Sequence, residues 1–269
     1  MRTHKRDYGE TTGHGPEGTG TTLLTLPIDQ FNAFNPGALG LGDIRREGQY
    51  VQALAAIYDL EGFTAFCNQV DSHLVVPDFL ATYLQWLFES LKAKFCNSHN
   101  GSQALLWSSL PIFTKFMGDG LLLIWNTERT GAELSAIHNI VITLLEITIE
   151  YRTTFLKLVE PHYSNIPPRL RCGVSRGQIV SIGDDADYVG SCINIAARLQ
   201  KLPGLTFAVS RRGCDLLGLG STTLTKGLIL RKVELRGIGA DERIFILKDE
   251  FERLSAHDRR LFADVSGIF

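Results

Sequence analysis

The order of apolar runs along this chain predicts an α+β fold, a ferredoxin-like βαββαβ core with extra C-terminal strands. Three observations carry the prediction. A largely apolar run at residues 49–58 precedes two helical patterns; two apolar runs flank a glycine-rich turn at residues 117–120; and a second long helical pattern leads into a series of short strand-like runs. Strand, helix, hairpin, helix, strand is the order of that core.

Residues 1–46 are rich in Gly, Thr and His, as in GETTGHGPEGTGTT, without a sustained period. Such a composition buries too little surface to offset its ordering entropy, so this segment is expected to be mobile or draped on a partner. The catalytic-type domain is expected at 47–248 and a charged tail at 249–269. Within the domain, 49–58 reads as a buried strand and 63–70 as a helix. Pro77 then opens a long helix to about residue 95, with Phe79, Leu80, Tyr83, Leu84, Leu87 and Phe88 on one stripe. Residues 109–116 and 121–125 form a hairpin whose turn holds Gly118, Asp119 and Gly120. A helix at 130–159 follows, then strands at 170–175 and 178–182, a helix at 191–202 and a strand at 206–209. Strands at 228–235 and 243–247 end the domain. In this topology the hairpin sits centrally beside the first strand, bringing Asp59 and Asp119 to adjacent ends of one sheet.

With 269 residues, 44% of them hydrophobic, the chain can bury a proper core. A formal charge of −2 provides no broad basic face, which argues against a nucleic-acid partner. The five cysteines are widely spread and contain no CxxC pair, as expected of a reducing compartment and of a chain without a zinc site. No apolar run approaches the roughly 20 residues that span a bilayer, so a cytoplasmic protein with no membrane partner is expected.

Asp59 lies in AAIYDLEGFTAF and Asp119 in TKFMGDGLLLIW. Two aspartates brought together on neighbouring strands suit two Mg²⁺ or Mn²⁺ ions held against a nucleoside triphosphate, which points to phosphoryl chemistry. The plainer readings are a helix cap for Asp59 and a turn residue for Asp119. Asn194 and Arg198 lie four apart on a predicted helix, roughly 40° from each other around its axis, so they share a face above the small residues Ala196 and Ala197. An exposed polar stripe would look the same. Lys115, four residues before Asp119, shares its face by strand alternation.

These motifs resemble the catalytic domain of class III nucleotide cyclases over residues 49–247. YDLEGFT (58–64) is similar to the family's D-x-x-G-F-T element, KFMGDG (115–120) to its K-x-x-G-D hairpin, and DYVGSCINIAARL (187–199) to its D-x-x-G-x-x-x-N-x-A-x-R helix entry. The resemblance implies the class III cyclase fold. It also implies Asp59 and Asp119, with the Leu60 carbonyl, as ligands of two Mn²⁺ or Mg²⁺ ions per site; Asn194 orienting the ribose and Arg198 stabilising charge on the α-phosphate; and Lys115 and Asp187 reading the base. In the family the base-side and helix residues come from the opposite subunit to the metal aspartates. One chain carrying every element therefore implies a head-to-tail homodimer with two equivalent sites.

Taken together, the blocks look closest to the pyrimidine cyclases of bacterial Pycsar antiphage systems. That implies conversion of UTP to 3′,5′-cyclic UMP and pyrophosphate, with the product read by a separate effector protein. The alternatives are a cytidylate cyclase, an adenylate cyclase using ATP, and a catalytically silent nucleotide-binding pseudo-cyclase. Tyr58 stands where cyclases commonly carry a small residue; a phenol beside the pocket would narrow it toward a pyrimidine, whereas strand alternation turns it away from Asp59 and into packing. Ile238 stands where a triphosphate-binding lysine often appears, with Arg236, Arg243 or a residue of the N-terminal segment as substitutes. The loop before Asp187 carries Asp184 and Asp185 and no evident phosphate-binding arginine.

Overall fold

The structure is a computed structural model describing residues 9–14, 20–32, 35–100, 102–128, 134–183, 186–212, 216 and 226–265. It divides into two units, Met1–Gln49 with Val180–Val189, and Tyr50–Ile179 with Gly190–Phe269.

In the smaller unit, β1 (Gly9–His14) and β2 (Gly20–Thr25) pair antiparallel with Gly9 opposite Thr25. No strand was expected in this segment. The threonines of GETTGH and GTTLLT are β-branched residues, which favour strands. A short helix α1 (Ile28–Asn32) follows. Gln49 and Ser181 tie the unit together: the Ser181 N–H donates to the Gln49 carbonyl at 3.0 Å, and the Gln49 N–H to the Ser181 hydroxyl at 3.0 Å.

The larger unit begins with β3 (Tyr50–Glu61), a short helix α2 (Phe63–Cys67) and the long helix α3 (Ser72–Phe95). Phe79, Tyr83, Leu87, Leu91 and Phe95 recur every four residues on α3 and all are buried; of the expected stripe, Phe79, Tyr83 and Leu87 lie in this packing face, Leu80 and Leu84 border it, and Phe88 is exposed. The helix starts earlier than Pro77 because Asp71, at φ 59°, turns the chain into it, leaving Pro77 inside the helix. A side hairpin, β4 (Cys96–Asn100) and β5 (Gln103–Leu106), was not expected. The central hairpin is β6 (Phe113–Phe116) and β7 (Gly120–Asn126).

Helix α4 (Leu134–Glu150) passes through a π turn (Tyr151–Phe155) into α5 (Leu156–Val159); the expected helix start at residue 130 lies outside the described residues. Two expected strands are one, β8 (Arg169–Ile182). Arg176 and Gly177, which lay between the two expected strands, continue the strand, and a Cβ on Gly177 would stand 3.3 Å from the Cys192 Cβ. Next come β9 (Asp187–Gly190), α6 (Ser191–Leu199), β10 (Phe207–Ser210), β11 (Leu228–Leu235) and β12 (Gly239–Leu247). The expected tail is folded: helices Lys248–Arg253 and Ala256–Arg259 lead to β13 (Phe262–Ala263), which pairs with β11.

The sheet order is β13-β11-β12-β10-β8-β3-β7-β6. Its β8-β3-β7-β6 part, with α3 and α4 as the connecting helices, is the ferredoxin-like core. The hairpin is central only through β7; β6 forms the sheet edge. Even-numbered residues of β3, Leu54 to Leu60, pack with α3 and α4 in one core. Across the sheet, Ile195 and Leu199 of α6 pack with Ala208, Ile244 and Ile246 in a second. Each fully buried side chain of this size contributes about 1.5–3 kcal/mol. The odd-numbered β3 residues, Asp59 among them, point to the α6 side.

Candidate active site

The end of β3 and the β6–β7 turn form one unit of geometry. Asp59 lies opposite Gly120 in the ladder, and the Leu60 N–H donates to the Asp119 carbonyl at 3.1 Å. The Met117 N–H donates to the Gly120 carbonyl at 2.8 Å, closing a two-residue loop of Gly118 and Asp119. Gly118 takes φ 97°, a conformation that side-chain-bearing residues rarely adopt. A Cβ on Gly120 would stand 2.6 Å from the Tyr58 carbonyl oxygen, so glycine is required for the hairpin to close against β3. The G-D-G sequence thus holds Asp119 beside the end of β3.

Asp59 is only 8% exposed, and its charge is met by Arg171 of β8. Both Nε, at 3.0 Å, and Nη2 of Arg171 donate to Asp59 Oδ2. One rung further out, Arg169 Nη2 donates to Glu61 at 2.8 Å. Leu170, Cys172 and Val174 face the helical core, which turns Arg169 and Arg171 to the Asp59 side. The half-buried Asp119 carboxylate has no hydrogen-bond or ion-pair partner among the described residues. Burial, and then the charge of Asp119, push the Cys67 thiol up from its ordinary value.

Among the described residues no group of three or more His, Cys, Asp and Glu could cage a metal ion. The donor set is two carboxylates and backbone carbonyls, all hard oxygen ligands. Such a set fits Mg²⁺ or Mn²⁺ completing its shell with water and phosphate oxygens, and does not fit a soft metal or a protein-enclosed site. Asp59, Asp119 and the Leu60 carbonyl are the groups that would hold it.

Asn194 and Arg198 stand together on the exposed side of α6, with no hydrogen bond or ion pair among the described residues. The Arg198 Nη2 is 3.6 Å from where a Cβ on Gly237 would lie, beside the turn between β11 and β12. Ile238 in that turn packs against the second core, and Arg236 is exposed. Lys115 is exposed on β6 opposite Leu122, and shares the Asp59 face. Asp187 belongs to the smaller unit, where its Oδ1 accepts from the Tyr188 N–H at 2.9 Å. Asp184 and Asp185 lie outside the described residues. The residues therefore fall into groups: Asp59, Leu60, Asp119 and Arg171 around the ends of β3 and β7, and Asn194 with Arg198 on α6.

Tyr58 requires a correction. Its side chain is fully buried in the helix-side core, and its hydroxyl donates to the Leu144 carbonyl at 2.9 Å. Burial, with Cys172 and Tyr83 nearby, pushes the phenol well above its ordinary value. Tyr58 packs between sheet and helix, because strand alternation sends it to the face opposite Asp59. The residue that sequence reasoning missed is Arg171. Its signal was the alternation R-L-R-C-G-V: charged residues at every second position of a central strand need a countercharge on that face.

No family model and no curated protein matches the sequence. Solved structures do. The adenylyl cyclase CyaB from P. aeruginosa superposes with a TM-score of 0.56 at 15% identity, covering 75% of this chain and 96% of that one. The catalytic core of a rhodopsin-guanylyl cyclase with converted specificity, in complex with ATPαS, gives 0.50 at 16% identity over 75% and 98% of the two chains. A bacterial light-regulated adenylyl cyclase gives 0.50 at 17% identity over 76% of this chain and 53% of that one. At these identities the likeness is one of fold: the chain has the α+β fold of adenylyl and guanylyl cyclase catalytic domains.

Proposed function

We propose that this chain is a nucleotide cyclase that converts UTP to 3′,5′-cyclic UMP and pyrophosphate at the interface of a head-to-tail homodimer. The observation that carries the reading is the pairing of β3 with the Gly118–Asp119 turn, which holds two hard carboxylates at one sheet end with an arginine on the same face. Two Mn²⁺ or Mg²⁺ ions held there would make the ribose 3′-hydroxyl acidic and neutralise the polyphosphate. Asp59 and Asp119 supply the ligand oxygens. Arg171, freed from Asp59, is within one strand of the site and suits the β- and γ-phosphates, a role that Ile238 cannot fill. Asn194 orients the ribose. Arg198 takes up charge that develops on the α-phosphate.

Support for the second chain comes from the surface. Trp107, Leu110, Ile112, Phe116 and Met117, around the edge strand β6, are all exposed, as in a patch awaiting a partner. The pyrimidine preference, the antiphage role and a separate effector rest on the sequence resemblance. ATP is the second reading, favoured by the exposed Lys115 on the Asp59 face. The test is incubation of the purified protein with Mn²⁺ and ATP, GTP, CTP or UTP separately, with mass spectrometry of the products. Cyclic UMP from UTP is the expected result. Cyclic AMP would replace the pyrimidine reading, and the absence of any cyclic product would leave a nucleotide-binding pseudo-cyclase.

A further inference from the structure

Within the smaller unit, residues 41–49 lie against residues 180–183, backbone to backbone. A Cβ on Gly48 would stand 2.2 Å from the Ser181 carbonyl oxygen, and a Cβ on Gly183 would stand 1.7 Å from the Leu41 carbonyl oxygen. The obstacle is a backbone atom in both cases, so no side-chain rotation makes room and each position requires glycine. Beside Gly48, Ser181 is only 4% exposed and makes two hydrogen bonds to Gln49: its N–H donates to the Gln49 carbonyl and its hydroxyl accepts from the Gln49 N–H, each at 3.0 Å. The two segments are clasped.

Asp187 follows directly from this clasp. Gly183 takes φ 58°, and its carbonyl accepts from the Ala186 N–H at 3.0 Å, closing a turn that ends one residue before Asp187. Asp187 opens β9, and its Oδ1 accepts from the Tyr188 N–H at 2.9 Å. One backbone contact and one turn therefore separate Leu41 from Asp187. A carboxylate that discriminates between base edges must be held within about 0.5 Å of its productive place, which a loop left to itself does not achieve. The segment whose composition suggested mobility is what braces this loop.

We propose that residues 41–49 are a positioning element for base recognition: Gly48 and Gln49 on Ser181, with Leu41 on Gly183, set the place of Asp187 and thereby the choice of nucleoside triphosphate. The inference rests on the cyclase reading for the role of Asp187. Gly48, Ser181 and Gly183 are positioning residues that act through it.

The test uses the full chain with Gly48→Ala, Gly183→Ala and Asp187→Ala, and with Ser181→Ala as a milder variant that removes only the hydroxyl acceptor. Amide hydrogen exchange across residues 180–190 reads the clasp, and should rise about tenfold in the Gly48, Ser181 and Gly183 variants. Titration with ATP, GTP, CTP and UTP in Ca²⁺ reads base choice without turnover. The preferred nucleotide should bind about tenfold more weakly in those variants, with the ratio of the four affinities moving to that of Asp187→Ala. A merely structural contact would leave that ratio as in wild type. Unchanged exchange in every folded variant, or raised exchange with a wild-type affinity ratio, would overturn the proposal, as would a wild-type chain that binds no nucleotide. Failure of the cyclase reading looks different: a chain that binds nucleotides with a base preference but forms no cyclic product loses that reading, and its affinity ratios still decide this one.

Discussion

At the scale of single residues, Arg171 and Asp59 form a partly buried ion pair whose two members have different prospects. Removing Arg171 leaves a carboxylate in a nearly closed environment, at a cost of about 3 kcal/mol. Arg171→Ala should therefore unfold at a lower temperature than wild type in EDTA, and Mn²⁺ should recover more of that loss in the variant than it adds to wild type, because a cation supplies the missing countercharge. Thermal melts with and without Mn²⁺ measure this; an identical Mn²⁺ shift in both proteins would remove Asp59 from the metal site. Asp59→Ala and Asp119→Ala should each abolish cyclic-nucleotide formation in the product assay. Tyr58 belongs to another class. Tyr58→Phe loses one buried hydrogen bond, about 1 kcal/mol, and should leave the substrate ratio unchanged in competition assays.

At the scale of elements, the contact between β8 and α6 decides where Asn194 and Arg198 stand. A Cβ on Gly173 would lie 2.1 Å from the Ala196 carbonyl oxygen and 2.6 Å from the Gln200 nitrogen. Both are backbone atoms of the α6 segment, so no side-chain rotation relieves the clash. Gly173→Ala should push α6 off the sheet and cost about 1–3 kcal/mol, read as a lower urea midpoint. It should also reduce turnover more than nucleotide affinity, since α6 carries the groups assigned to the reacting phosphate. A variant with normal turnover would show that the seat of α6 does not matter to the chemistry.

At the scale of the whole molecule, the proposed sites are built from two chains. An Asp119→Ala chain and an Arg198→Ala chain, each inactive alone, should restore one intact site per heterodimer on mixing. Random exchange makes about half of the dimers mixed, each with one of two sites working, so about a quarter of wild-type activity is expected. No recovery after mass spectrometry has verified subunit exchange would rule out the shared site. The exposed apolar residues around β6 are the place to weaken the dimer; Trp107→Glu with Phe116→Glu should give monomers by light scattering, and monomers without activity.

The sequence by itself determined the order of the core elements β3, α3, β6, β7 and α4, though not the side hairpin β4–β5, because hydrophobic period and the G-D-G turn are local signals. It also determined that Asp59 and Asp119 end neighbouring strands, since hairpin chemistry and strand order leave little choice. Tertiary structure decided the rest. Whether residues 176–177 interrupt or continue a strand depends on the α6 helix packed against Gly177, whether residues 248–263 form a tail or an edge depends on a free side of β11, and Arg171 faces Asp59 only once β8 lies beside β3. Each is a contact between segments far apart in the chain, and side-chain identity alone does not encode distance.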